Sequence, residues 1–354
     1  MQFEIGQAEF NAVLDKVLRA VETRVTIPVL ANIKITAKDS ELEFETTNLE
    51  NALRIRVPAK IKKEGVMLVP ANKTRDIVKR LPEGQVKVKL AENRWAHIEG
   101  GSAKFKVIGM DAAHFPTWPP IGKDAVEIDG QALQAAYNMV WYAVSHEQSR
   151  YTMSAVLISE GDAVATDGHR LALYRSKAFS KIKSALLPLA GMKILVDLIE
   201  GEGDVSMSTG ENNFVFSAKN WTLSMRKISG QFPNYKAVMP DKEKQTVEAT
   251  FAAAEFAQCV ERVGLSSDSR TSGVRFTFGK DGIELFANSP DAGEAADSLP
   301  GTCSGKLTIG FNSKYILDFV RKVEGEIKMF GKDEQSAAMF EHQNVLYVAM
   351  PLRF

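Results

Sequence analysis

Apolar positions along the chain follow a pattern that occurs three times. Short alternating runs open at Phe3-Glu4-Ile5, Val126-Glu127-Ile128 and Val247-Glu248-Ala249, each about a third of the chain after the last. Apolar residues spaced three and four apart follow each run. In the first third they are Phe10, Val13, Leu14, Val17, Leu18 and Val21. In the second they are Leu133, Ala136, Tyr137, Val140, Trp141 and Val144, and in the third Phe256, Cys259, Val260 and Val263. That spacing buries one helix face, so each third predicts a strand and then an amphipathic helix. A second helix is expected in each third, within 69–81, 187–199 and 310–323. Each follows an apolar strand and starts at Pro, Asn or Ser, residues suited to a helix start. Alternating strands such as Glu41–Glu45 and Gly282–Phe286 fill the space between the helices.

The first two thirds also close alike, with Phe115-Pro116-Thr117-Trp118 and Phe232-Pro233-Asn234-Tyr235. Polar linkers carrying Lys and Asp follow both, at 122–124 and 241–245. The predicted class is α+β, richer in strand than helix, with three similar domains at 1–124, 125–245 and 246–354. A row of like domains has two unlike ends, and two such chains can join head to tail.

Composition narrows the function. The chain has 354 residues, more than one ordinary core needs. Lys plus Arg and Asp plus Glu both number 44, so any nucleic-acid contact must come from local segregation of charge. No apolar run is long enough for a membrane span, and Met1–Ile5 lacks the basic start of a signal peptide. A cytoplasmic location is expected. The two cysteines, Cys259 and Cys303, build no disulfide framework. The histidines His97, His114, His146 and His342 have no metal-ligand spacing, so neither metal nor cofactor is expected.

The one catalytic-looking segment is Ala165 to Leu173, which holds Thr166, Asp167 and His169. A hydrolase or transferase using Asp167 and His169 is one reading. A β-turn at Asp167-Gly168 between two strands is the preferred one. The equivalent points, Thr47-Asn48-Leu49-Glu50 and Asn288-Ser289-Pro290-Asp291, are polar turns without His. A carbohydrate- or peptide-binding β-rich module is the third reading.

Six segments together resemble the bacterial DNA polymerase III beta subunit family. They are Ile27–Leu30, Leu81–Gly84, Ala165–Leu173, Phe232–Tyr235, Gly310–Tyr315 and Met350–Phe354, in order over the whole chain. The resemblance implies three tandem clamp domains, each with two helices packed on antiparallel sheets. It further implies a head-to-tail homodimeric ring with pseudo-sixfold symmetry. The implied protein is a sliding clamp rather than an enzyme. It encircles double-stranded DNA without sequence preference and makes the replicative polymerase processive. Implied partners are the polymerase III alpha subunit, the clamp loader and other proteins carrying a clamp-binding motif, with no membrane.

Carried over by position, the DNA-contacting residues are Arg24, Arg80, Tyr151, Asn312 and Tyr315. The partner-peptide pocket is Met153, Thr166, Gly168, His169, Arg170, Leu171, Pro233, Val238, Val348, Met350, Pro351 and Leu352, with His169 and Arg170 orienting the peptide. Ring closure falls to Phe105 and Leu265 at an apolar centre, with Lys73 and Lys104 facing Glu294 and Asp297. This chain departs from the family at Glu147, where a Gln is familiar near DNA. It departs again at Ala237, where Arg is common, and at Thr152, where a Tyr can gate the pocket. The helices carry Lys16, Arg19, Lys73, Arg75, Lys79, Arg80, Lys193, Arg262, Lys314, Arg321 and Lys322 among several acids. That moderate basic excess suits weak, exchangeable phosphate contacts.

Overall fold

The computed structural model describes residues 1–21 and 27–353, so Arg24 lies outside the described residues. Six α-helices occur among them: α1 (Gln7–Val17), α2 (Ala71–Arg80), α3 (Gly130–Val140), α4 (Leu189–Leu198), α5 (Ala253–Gly264) and α6 (Ser313–Val320). The predicted stripes face inward. Phe10, Val13, Leu14 and Val17 of α1 are buried, as are Phe256, Cys259, Val260 and Val263 of α5. The expected helix starts take different forms. Asn312 caps α6, its side chain accepting from the backbone of Lys314 and Tyr315. Pro70 precedes α2 and offers no such cap.

The chain forms two compact units. The first holds residues 1–131 and 190–227, and the second holds 132–189 and 228–354. Each unit therefore joins half of the middle third to a flanking third. The cause is strand pairing. Asn51–Pro58 of the first third pairs with Trp221–Arg226 of the second. Arg170–Arg175 of the second pairs with Val345–Ala349 of the third. A sheet that crosses a repeat boundary makes the boundary part of the core.

In the first unit α1 and α2 pack together. Its eight-stranded sheet runs in the order 125–129, 204–209, 213–217, 221–226, 51–58, 41–47, 32–38, 65–70. A five-stranded sheet runs 60–63, 2–6, 85–90, 95–100, 103–108.

In the second unit α5 packs on α6. Its larger sheet runs 185–188, 155–159, 162–166, 170–175, 345–349, 338–342, 326–331, 247–252, 302–303. Its first eight strands match the eight of the other unit in reverse order, pairing for pairing. The smaller sheet runs 293–299, 282–289, 273–279, 307–312. Among the described residues, Ala103–Ile108 ends the smaller sheet of the first unit and Gly293–Leu299 ends that of the second, each without a partner along one side. The corresponding strands of the large sheets, Trp221–Arg226, Val345–Ala349, Asn51–Pro58 and Arg170–Arg175, are all paired on both sides.

Candidate peptide groove and interaction edges

The groove is built around the turn that joins Asp162–Thr166 to Arg170–Arg175. Thr166 Oγ1 accepts from the Gly168 N–H at 3.1 Å and donates to the Arg170 carbonyl at 2.6 Å. Asp167 Oδ1 accepts from the N–H groups of His169 (2.9 Å) and Arg170 (3.0 Å). Its Oδ2 accepts from Arg170 Nε at 3.0 Å. Gly168 sits at φ +90°, where a side chain would be strained. The Asp167 carboxylate is thus spent on the turn, and no Asp–His pair assembles there for proton transfer. His169 is left exposed at the rim, its carbonyl accepting from Met350 N–H at 2.9 Å.

Arg170 turns inward, contrary to the expectation that it orients a ligand. Its Nη1 donates to Asp318 Oδ2 at 2.5 Å, its Nη2 to the Tyr142 carbonyl at 2.5 Å, and its plane lies 4.2 Å from the Tyr315 ring. All three nitrogens are committed, because a guanidinium this buried needs every donor satisfied. Arg170 locks the turn to α6. Asn312 has a structural role as well: its Oδ1 caps α6 and one N–H of its Nδ2 donates to the Thr271 carbonyl at 3.0 Å, which leaves the second amide N–H as a donor.

The outward sheet face beside the turn is apolar. Leu157, Val164, Leu171, Leu173, Tyr235, Phe330, Met339, Leu346 and Val348 form one buried cluster. Phe232 and Met239 of the 232–240 segment pack against it. Met153, Pro351 and Leu352 are half-buried, while Pro233, Val238 and Met350 are exposed. Tyr235 Oη donates to Asp162 at 2.9 Å and pins the segment down. Leu173, Leu346, Met339 and Tyr235 are missing from the expected site. The two-residue alternation from Leu171 to Leu173, and from Val348 back to Leu346, is the signal that points to them.

Interaction edges differ in chemistry. Phe105 is 38% exposed although it pairs with buried Ile98 on the core face. Leu265, after α5, is 82% exposed. Lys73, Lys104 and Glu294 are exposed. Asp297 is already engaged within the chain by Arg262 Nε at 2.7 Å, which corrects its expected pairing with a lysine of another copy. On the helices, arginines are paired: Arg19 with Asp197, Arg75 with Asp76 and Arg321 with Glu261. Among the described residues Lys16, Lys73, Lys79, Lys193, Lys314 and Lys322 have no acid within ion-pair distance. Arg80 is exposed and donates to the Asp76 carbonyl at 2.8 Å. Tyr151 is also exposed.

Strand pairing across repeat boundaries, with α1 packed on α2 and α5 on α6 beside the sheets, defines the DNA-clamp class of fold. Family models agree along nearly the whole chain. Residues 1–119 match the N-terminal domain of the DNA polymerase III beta subunit, 127–234 its central domain and 236–353 its C-terminal domain. The chain belongs to the bacterial DNA polymerase III beta subunit family. It is 26% identical over 367 aligned positions to the beta sliding clamp of Vibrio cholerae, covering 100% of both chains. A DNA polymerase sliding clamp structure from Bacillus subtilis matches with a TM-score of 0.94 at 25% identity, covering 100% of this chain and 99% of that one. The DNA polymerase III subunit beta of Pseudomonas aeruginosa matches with a TM-score of 0.94 at 26% identity, covering 100% of both. Among the described residues no helix is long and apolar enough to cross a membrane.

Proposed function

We propose that this chain is a DNA sliding clamp: a homodimeric ring that encircles duplex DNA in the cytoplasm and tethers the replicative polymerase to it. It does no chemistry of its own. The supporting observation is the pair of leftover edges. In each unit a strand corresponding to 103–108 pairs with one corresponding to 293–299. Joining these two edges between copies would unite the five-stranded and four-stranded sheets into one continuous sheet like the two large ones, and two such joints would close two chains of three clamp domains each (1–124, 125–245, 246–354). Phe105 and Leu265 would be covered at the joint, with Lys73 and Lys104 facing Glu294.

The unpaired helix lysines suit the task. They are strongly hydrated point charges on flexible stems, and they exchange phosphates readily. Arg24, Arg80, Tyr151, Asn312 and Tyr315 are the proposed DNA contacts. Partner peptides dock beside Met153, Thr166, Gly168, His169, Leu171, Pro233, Val238, Val348, Met350, Pro351 and Leu352. The clamp loader and the polymerase III alpha subunit would use this groove. Apolar pockets with a re-packing Met accept more than one partner.

The deciding experiment is topological. Ring loaded on nicked circular DNA should stay bound in high salt and be lost once the circle is linearised. Equal loss from both forms would refute encirclement, since purely electrostatic binding depends on salt and ignores topology.

A further inference from the structure

The backbone frame of the groove occurs twice in the chain. In the first unit Thr47 Oγ1 donates to the Asn51 carbonyl at 2.9 Å, as Thr166 does to Arg170. Leu49 N–H donates to Thr47 Oγ1 at 3.0 Å, as Gly168 does to Thr166. Asn48 Oδ1 accepts from Glu50 and Asn51, as Asp167 does from His169 and Arg170. Arg226 N–H donates to the Glu50 carbonyl at 2.7 Å, as Met350 does to His169. Leu49 even takes φ +72° where Gly168 takes +90°.

The side chains differ at every row. Across the second unit one row of paired residues reads Leu157, Val164, Leu173, Leu346. The same row of the first unit reads Lys34, Glu45, Arg54, Thr222. The row nearer the turn reads Leu171, Val348 in the second unit and Ala52, Ser224 in the first. Glu45 accepts from Arg54 Nη2 and pairs with Lys34 Nζ, each at 2.6 Å. Trp118 lies over the Arg54 guanidinium at 4.2 Å, in the segment equivalent to the one that carries Tyr235.

Building on the groove reading above, we propose that Lys34, Glu45 and Arg54, with the small Ala52 and Ser224, are the specificity determinants that confine peptide docking to the second unit. An apolar anchor set on the ladder would strip water from Lys34 and Arg54 without replacing it. Ala52 and Ser224 would return less contact area than Leu171 and Val348 do. The frame is permissive, and the lining decides which copy of it binds. Each chain then presents one docking site although it contains two frames.

Isothermal titration with a synthetic ten-residue peptide carrying Leu and Phe anchors tests this on the full-length dimer. Wild type should bind one peptide per chain, and two equal sites would overturn the proposal. Leu171→Asp should abolish that site. If it does not, the groove reading fails, whatever the ladder does. The variant K34L/E45V/A52L/R54L/T222L/S224V, which installs the second unit's lining in the first, should bind two peptides per chain. One of these should survive Leu171→Asp. A folded variant that still binds one would overturn the proposal. Should that variant not fold, L157K/V164E/L173R puts the ladder into the second unit. It should weaken peptide binding by roughly a hundredfold, about 2.7 kcal/mol, with melting retained. Unchanged affinity there would overturn the proposal equally.

Discussion

Strands Trp221–Arg226 and Ala103–Ile108 are the same part of the repeat in two circumstances. Both end a four-strand run that begins at the opening strand of a third. The first is covered by Asn51–Pro58, and its Leu223 is 0% exposed. The second has no neighbour on that side, and Phe105, on the corresponding face, is left partly in water. The corresponding pair on the other side is Asn51–Pro58, covered, and Gly293–Leu299, open. An open edge bearing an apolar residue costs a soluble protein solubility and invites pairing with another chain. If two chains join at these open edges, closure between chains repeats the interface that the chain uses within itself. Charge sorts the partners: the 103–108 edge carries Lys104 and Lys106, and the 293–299 edge carries Glu294, with Asp297 already paired to Arg262. Pairing of unlike edges is favoured, and pairing of an edge with its own copy is opposed.

Breaking a closed joint should have the largest effect. Leu223→Ala removes a fully buried side chain between two paired strands. It should cost about 2–5 kcal/mol of folding stability, independent of protein concentration. Urea unfolding monitored by circular dichroism at two concentrations, carried out in the dissociated Phe105→Asp background so that dimer dissociation does not contribute, measures this. A midpoint that moves with concentration would mean that the joint behaves like an interface between copies. Phe105→Asp should act on the open edge alone. Association should weaken by about 2–4 kcal/mol, giving monomer in analytical ultracentrifugation at concentrations where wild type is dimeric. The melting of the separated chain should hardly change, because Phe105 is already partly solvated. A Phe105→Asp protein that remains dimeric would remove this edge from ring closure.

The sequence pattern reveals the units of the fold more readily than their joints. Stripes such as Phe10, Val13, Leu14 and Val17 declare buried helix faces, because a helix must bury its own apolar side whatever lies opposite. Strand partners carry no such signature. Nothing local in Asn51–Pro58 names Trp221–Arg226, far along the chain, so the sharing of sheets across repeats is hidden. At the site, the turn residues Thr166, Asp167 and Gly168 are legible because turn chemistry is local. The fate of Arg170 is not, since an arginine on an edge of polar sequence looks solvated until Asp318, Tyr142 and Tyr315 are brought to it. Asn312 is ambiguous for the same reason. Its spacing before Lys314 and Tyr315 suits a helix cap as well as a phosphate contact.

Acid offers a finer probe of one closed joint. Arg54 pairs across it with Thr222 and is held by Glu45, itself only 3% exposed. Burial alone pushes the Glu45 carboxyl up. The hydrogen bonds and charges of Lys34 and Arg54 together outweigh that, so its pKa lies below the ordinary value of 4.5. A group whose folded pKa is depressed contributes stability that is fully present above its unfolded pKa. That stability is lost as pH falls through the folded one. The joint in the first unit should therefore loosen only below about pH 4.5, an effect moderated by the partial exposure of Lys34 and Arg54. The equivalent joint of the second unit, lined by Val164, Leu173 and Leu346, has no such group in its row, its carboxylates lying at the ends of the strand beside Arg170 and Arg175, so its central amides should respond less. Hydrogen exchange of the 52–57 and 171–174 amides between pH 5.5 and 3.5, corrected for intrinsic rates, compares the two in one molecule. Glu45→Gln should loosen the first joint already at neutral pH and flatten its acid response. Equal acid sensitivity of both joints, or an unchanged response in Glu45→Gln, would show that the ladder does not hold the first joint and that general charge repulsion does the loosening.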